Sequence, residues 1–354
     1  MSQSSRRVRN SRSKLRQEAV GTGLEDLLRP CPERLRPADP DPPDDGPPLG
    51  VTFSGGGFRA TLTALGVLQM LEDVGMLHRL RYASSVSGGS VTNARLATQW
   101  GAIRKGASVR DTVIEPIVKK VSSTSLKVKL ITNAWRALGP MNRTQVLARQ
   151  LDNWWLDETE LEDLDPSVRW IINTANVTTG VRFGFERDVV GDYVVGTRST
   201  AGTGIRVATA AAASAAVPGV FPRLSLPKSV EFPCQERAGR PELLDGGVYD
   251  NTGLEVLAGP NHDDVFTVVV NVGGLLTIGR SGGIPIVGDL QRANSLLYRQ
   301  STALRTRPIV PMMKEFEDAR AEGREPRGRA RPGLLFGLAS NIPSVGKSDE
   351  FAQA

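Results

Sequence analysis

The spacing of apolar residues changes period several times along the chain, and each change marks an element. Gly50–Ser54 is a short apolar run that predicts a strand. From Phe58 to Asp73, apolar residues recur three and four apart (Leu62, Leu65, Val67 or Leu68, Met70 or Leu71), the period of a helix, and Gly75 suits its end. Tyr82–Val86 predicts a second strand, and Ser90–Trp100 a helix whose close-packing side holds Ala94, Leu96 and Ala97. Residues 101–165 are expected to be mostly helical, with Trp135, Trp154 and Trp155 as large apolar groups. Trp170–Thr174 and Val181–Glu186 are strand candidates on either side of a turn at Thr178–Gly180. Val207–Val217 is a helix of small residues stopped by Pro218–Gly219. Asp264–Val272 is a continuous β-branched run, the pattern of a strand covered on both faces, and Asp289–Arg305 predicts an amphipathic helix. Strands alternating with helices predict a three-layer α/β/α fold around a mostly parallel sheet.

Ahead of Leu49 the pattern is different. Residues 1–20 are polar and basic and are expected to be disordered. Residues 21–36 predict one short helix (EDLLRPCPERL) interrupted by Pro30 and Pro32, and residues 37–48 form a proline- and aspartate-rich linker. The expected organisation is an extension over 1–48, one domain over 49–345 and a tail over 346–354.

Composition narrows the class. Hydrophobic residues make up 40% of the 354 residues and charged residues 23%, ordinary values for a water-soluble globular chain. No apolar run reaches the roughly 20 residues that span a bilayer, and the basic start lacks the apolar core of a secretory signal. The formal charge of +6 is concentrated in the first residues and around Arg320–Arg331. These segments are expected to be solvated; a peripheral role for the basic N-terminus on anionic membranes is the functional alternative, and no nucleic-acid partner is expected. The two cysteines, Cys31 and Cys234, match no metal or redox spacing and are expected to be free thiols in a reducing, cytoplasmic setting. Two histidines are too few for a His-rich metal site, so no metal or cofactor is expected, and any catalytic base has few histidines to come from.

Three stretches carry chemistry. Ser54-Gly55-Gly56-Gly57-Phe58-Arg59 joins a strand to a helix: its glycines let a ligand approach the main chain, and amides at a helix start favour negative charge. A phosphate loop would need Gly-Lys-Ser/Thr, and a dinucleotide loop a third spaced glycine; both are missing. A plain glycine turn is the structural alternative. In Ser84-Ser85-Val86-Ser87-Gly88-Gly89-Ser90, Ser87 is the candidate nucleophile on a strand-to-helix elbow, because two glycines come after it; Ser85 stands where the G-x-S-x-G pattern has its first glycine. In Leu244-Asp245-Gly246-Gly247-Val248-Tyr249-Asp250-Asn251, Asp245 is taken in isolation as a turn former, with Asp250-Asn251 capping the next segment of chain.

The three stretches in this order, with ASAAVPGVFPR (Ala213–Arg223) ahead of the aspartate, resemble the patatin-like phospholipase family from about Leu49 to Val272. The resemblance implies a Ser–Asp dyad of Ser87 and Asp245, an oxyanion loop of Gly55, Gly56 and Gly57, and Arg59 facing a substrate phosphate or, structurally, a neighbouring carboxylate. It implies a carboxylic ester hydrolase of the phospholipase A or lysophospholipase type, acting on membrane or micellar acyl lipids through an acyl-enzyme. A neutral-lipid lipase or thioesterase, and an inert binding module of the same fold, are the competing expectations. The oligomeric state is not legible.

Overall fold

The computed structural model describes residues 29–123, 142–273 and 285–337. Among them a ten-stranded sheet runs in the order β10-β9-β1-β2-β3-β4-β5-β6, with β8 also against β3 and β7 against β8. The strands are β1 (Leu49–Phe53), β2 (Leu80–Val86), β3 (Arg169–Asn176), β4 (Val181–Phe185), β5 (Val189–Asp192), β6 (Gly196–Ser199), β7 (Leu224–Ser225), β8 (Glu242–Asp245), β9 (Phe266–Asn271) and β10 (Gly333–Gly337). From β10 to β3 every pairing is parallel; beyond β3 the pairings are antiparallel. The sheet is therefore mixed, with the parallel half the sequence predicts and an antiparallel extension it does not. Helices are α1 (Phe58–Asp73), α2 (Gly88–Ile103), α3 (Glu115–Ser123), α4 (Arg143–Leu151), α5 (Val207–Ser214), α6 (Gln235–Ala238), α7 (Gly247–Asp250) and α8 (Pro285–Ala321).

β9 shows why helices cover both faces. Its alternate residues separate: Val268 and Val270 join the main core with Leu65 and Leu68 of α1, whereas Val269 joins a second cluster with Ile309 and Met313 of α8. Successive strand side chains point to opposite faces, so a strand apolar at every position must be sandwiched. On the α2 face, Trp100 packs edge-to-face on Trp170 of β3, ring centroids 5.5 Å apart.

Boundaries depart from the sequence pattern where tertiary contacts decide. The helix expected to end at Arg305 continues through Pro308 and Pro311 to Ala321, because Ile309, Met313 and Ala319 go on burying apolar surface past the prolines. The helix expected over Val207–Val217 stops at Ser214. In the stretch expected to be mostly helical, Asp152–Leu156 forms a π-turn holding Trp154 and Trp155; Trp135 lies outside the described residues.

The segment ahead of β1 corrects two expectations. Residues 29–36 hold no helix, as Pro30 and Pro32 would require; the rest of that expected helix, 21–28, and the disorder expected over 1–20 lie outside the described residues. Cys31 and Cys234 are not free thiols: they form a disulfide across 203 residues. The segment 29–48 is a strap laid on the domain. Cys31 N–H donates to Tyr193 O (2.8 Å), Thr197 Oγ1 to Leu35 O (2.9 Å) and Arg81 Nε to Asp41 O (2.6 Å). Asp39 pairs with Arg169 at 3.2 Å, and Asp45 with His78 at 2.8 Å.

Candidate active site

The sheet register brings Ser87 and Asp245 together. β2 runs parallel to β3 and its last residue, Val86, lies beside Asn173; β8 runs antiparallel to β3 and its last residue, Asp245, lies beside Thr174. Two strands far apart in sequence thus end head to head along one edge of β3, and the chain turns away from the sheet at both ends. Ser87 is the first residue of one turn and Asp245 the last strand residue of the other.

Ser87 has φ 53° and ψ −122°, a conformation strained for a residue with a side chain, and it caps α2. Space makes this bend possible. A Cβ on Gly88 would stand 2.1 Å from Gly57 O, and one on Gly89 2.5 Å from Phe53 O. Thr61 of α1 braces the two loops, its hydroxyl donating to Gly88 O at 2.8 Å. Beneath the elbow lies a buried hydroxyl network: Ser87 N–H donates to Ser214 Oγ (2.9 Å), Ser214 Oγ donates to Asn173 O (2.6 Å), and Ser90 Oγ lies 2.9 Å from Ser214 Oγ and 3.0 Å from Ser85 Oγ. Ser85 is fully buried in β2, outside the positive-φ region, and its hydroxyl donates to Ile171 O at 3.2 Å. Its position needs a small residue and no glycine.

Asp245 is 1% exposed. Its N–H donates to Ala216 O (3.0 Å) and that of Gly246 to Ser214 O (3.3 Å), so the carbonyls left free where α5 ends early hold the loop. Gly247 N–H donates to Asp245 Oδ1 at 2.8 Å, whereas Oδ2 has no hydrogen-bond partner among the described residues. Burial pushes the carboxyl up from 3.8 to about 6, against the opposing pull of the Ser87 hydroxyl and the Gly247 amide. Desolvation of an anion without a neighbouring cation gives this direction. Asp250 is the cap expected of it: it accepts from Thr252 N–H (2.9 Å) and Glu255 N–H (2.9 Å).

The glycine loop divides its labour. Gly55 N–H donates to Asn251 O at 2.9 Å, so that amide is not free for an oxyanion, and the expectation of three donors is corrected to two at most. Gly55 serves by leaving room, since a Cβ there would stand 2.3 Å from Asn251 Oδ1. The amides of Gly56 (φ 147°) and Gly57 (φ 60°) make no hydrogen bond among the described residues, and both backbones lie in regions that glycine adopts freely. Arg59 is exposed in the first turn of α1 and has no ion pair among the described residues; that turn holds no acidic residue, so the carboxylate alternative finds no support there.

Neither histidine joins the site. His78 pairs with Asp45 at the surface, and His262 is buried edge-on to Tyr82, ring centroids 5.0 Å apart, with burial lowering its pKa. Sequence reasoning missed Ser214, Thr61 and Asn173, and took Asn251 for a cap where its carbonyl holds the Gly55 amide. Ser214 lies in the ASAAVPGVFPR run, but its role depends on a contact across 127 residues. Among the described residues, no group of His, Cys, Asp and Glu could hold a metal ion, and no helix is long and apolar enough to cross a membrane.

The chain is similar to several known proteins. Over 58 residues, 16% of this chain and 10% of the other, the sequence is 40% identical to the mouse (Mus musculus) cytosolic phospholipase A2 gamma. Human GIVD cytosolic phospholipase A2 superposes with a TM-score of 0.41 at 15% identity, covering 78% of this chain and 48% of that one. VipD from Legionella pneumophila superposes with a TM-score of 0.34 at 12% identity, covering 87% and 65%. The chain thus spans about half the length of the human structure and matches a tenth of the mouse protein. The profile of the patatin-like phospholipase family matches residues 51–258, more than half of the chain and all three glycine-bearing stretches, and the chain belongs to that family.

Proposed function

We propose that the chain is a serine lipid acyl hydrolase that cleaves carboxylic esters of phospholipids or lysophospholipids with Ser87 as nucleophile and Asp245 as base. The observation that carries this reading is the meeting of a strained Ser87 with a buried aspartate whose carboxyl titrates near 6. A serine hydroxyl needs a base within reach, and an ordinary aspartate is a weak one; a dry site raises its proton affinity towards the working pH. Asp245 takes the Ser87 proton as Oγ attacks the acyl carbon, and the tetrahedral oxyanion rests on the Gly56 and Gly57 amides at the positive end of α1. The same proton then goes to the leaving alcohol. Water, deprotonated by Asp245, releases the acid and restores the Ser87 hydroxyl. Arg59, exposed at the mouth of the glycine loop, is the group for a substrate phosphate.

The hydrolase domain is taken as residues 49–345, with the strap 29–48 pinned to it. The enzyme works from the aqueous side on membrane or micellar lipid. Its compartment must keep Cys31 and Cys234 oxidised; cytoplasmic placement therefore requires the bridge to persist there, which thiol titration of the protein from cells reads. The test of function is a fluorophosphonate probe and lipid-class profiling of wild type against Ser87→Ala. Labelling and acyl release should both vanish in the variant. A Ser87→Ala protein with wild-type ester turnover refutes the nucleophile, and release from neutral glycerides or thioesters alone reassigns the substrate.

A further inference from the structure

Two enclosed polar atoms have no partner among the described residues: Asp245 Oδ2, an acceptor, and the Tyr298 hydroxyl, a donor. The two residues flank one glycine. Asp245 Oδ1 and Tyr298 Cε1 each lie 3.0 Å from the point that a Cβ on Gly247 would occupy. An enclosed phenol without a hydrogen bond costs about 1–3 kcal/mol, so native folds seldom keep one without a use. The ring is held by α8, which is fixed to the same turn: Ser301 Oγ donates to Gly247 O at 3.1 Å and accepts from Asn251 N–H at 3.3 Å. Several other polar groups nearby are engaged. Arg305 pairs with Glu255, Asp250 is held by Thr252 and Glu255 N–H, and Arg182 donates to Asn173 Oδ1 at 2.9 Å.

We propose that Tyr298 is a positioning residue for the second half of the reaction: its hydroxyl donates to Asp245 Oδ2 once Ser87 is acylated. This inference rests on the reading of Ser87 and Asp245 given above. In the free enzyme the Ser87 hydroxyl faces the carboxylate. In the acyl-enzyme Ser87 Oγ is an ester oxygen with no proton to give. Asp245 has by then passed its proton to the leaving alcohol and is a buried carboxylate with one remaining donor, Gly247 N–H. Closure of the phenol onto Oδ2 supplies the second, keeping the carboxylate aligned for the incoming water. Water then loses one proton to Asp245 and its oxygen bonds to the acyl carbon; the proton passes to Ser87 Oγ as the acid leaves. Tyr298 stays protonated throughout, since burial and the charge of Asp245 both raise its pKa.

The test is Tyr298→Phe, which keeps the ring, assayed with a soluble p-nitrophenyl acyl ester in the steady state and by rapid mixing. Slowing of deacylation alone lowers kcat and KM together and leaves kcat/KM unchanged. The expected drop is about 10- to 100-fold, the rate equivalent of one hydrogen bond to a charged group. A burst of nitrophenol approaching the enzyme concentration should appear, with the melting temperature unchanged or raised. An unaltered kcat, a fall in kcat/KM at constant KM, or a variant that melts well below wild type each overturns the proposal. If wild type itself neither turns over the ester nor takes the fluorophosphonate label, the hydrolase reading has failed and Tyr298 falls with it; failure of Tyr298 alone leaves wild-type turnover and labelling in place.

Discussion

Replacing Asp245 by Asn separates what the base does for chemistry from what it costs the fold. Asp245 is buried, and its carboxyl titrates at about 6 in the folded chain against 3.8 for a free aspartate. At roughly 1.4 kcal/mol per pKa unit, the gap makes the charged carboxylate about 3 kcal/mol unfavourable to folding. The sign comes from proton binding. The folded pKa lies above the unfolded one, so the native state binds the proton more tightly. The cost is absent below about pH 4, grows between 4 and 6, and is complete above 6. Asn is neutral throughout and keeps an acceptor for the Gly247 N–H, which lies 2.8 Å from Oδ1 in the wild type. Urea unfolding of the oxidised proteins should find Asp245→Asn roughly 3 kcal/mol more stable at pH 8, with the margin closing towards zero near pH 4. Its ester turnover should fall to the level of Ser87→Ala. A margin equal at both pH values, or a variant less stable than wild type at pH 8, would refute a base held charged in a dry site.

The remaining predictions concern the pH profile, the elbow and the strap. Because Asp245 must be deprotonated to accept the Ser87 proton, kcat/KM on a soluble ester should fall as pH drops through about 6, and an acid limb near 4 would contradict the buried base. Gly88→Ala places a methyl 2.1 Å from Gly57 O; it should lower stability by about 1–3 kcal/mol by overpacking and cut kcat by roughly 100-fold or more by displacing the oxyanion loop. Wild-type kcat in that variant would mean that the loop gives way freely. Cys31→Ser opens a bridge spanning 203 residues and should cost roughly 2–5 kcal/mol in urea unfolding of the oxidised protein, whereas added reductant should leave the variant unchanged.

Much of the fold was legible because period alone reveals it. Phe58–Asp73 has the predicted helix boundaries, and β9 reads as buried because Phe266 to Val270 are all β-branched or apolar. Of the antiparallel half only β4 was legible, as the strand candidate Val181–Glu186. β8 is four residues long and β7 two, too short for a period; β8 exists by pairing with β3, and β7 by pairing with β8. The site was legible as motifs but not as a geometry, since what joins Ser87 to Asp245 is the register of β2 and β8 on β3. The disulfide was illegible for the same reason: the proximity of Cys31 and Cys234 depends on where the strap lies, and two unspaced cysteines carry no pattern.

Ser85 shows what the glycines of this site are for. A glycine can be required because its backbone takes a positive φ or because no side chain fits, and the sequence does not distinguish the two. Here Gly57 is required by its φ of 60°, Gly88 and Gly89 by the main chain of Gly57 and Phe53 lying where a Cβ would be, and Gly55 by the side chain of Asn251. The position of Ser85 meets neither condition: it is strand, outside the positive-φ region, and its hydroxyl accepts from Ser90 at 3.0 Å and from Asn93 Nδ2 at 2.9 Å. With the bond it donates to Ile171 O, serine there adds three buried hydrogen bonds under the elbow that glycine could not make. The strain at Ser87 is thus opposed by a fully paired hydroxyl network below it, and the departure from the motif at Ser85 is part of what holds the nucleophile in place.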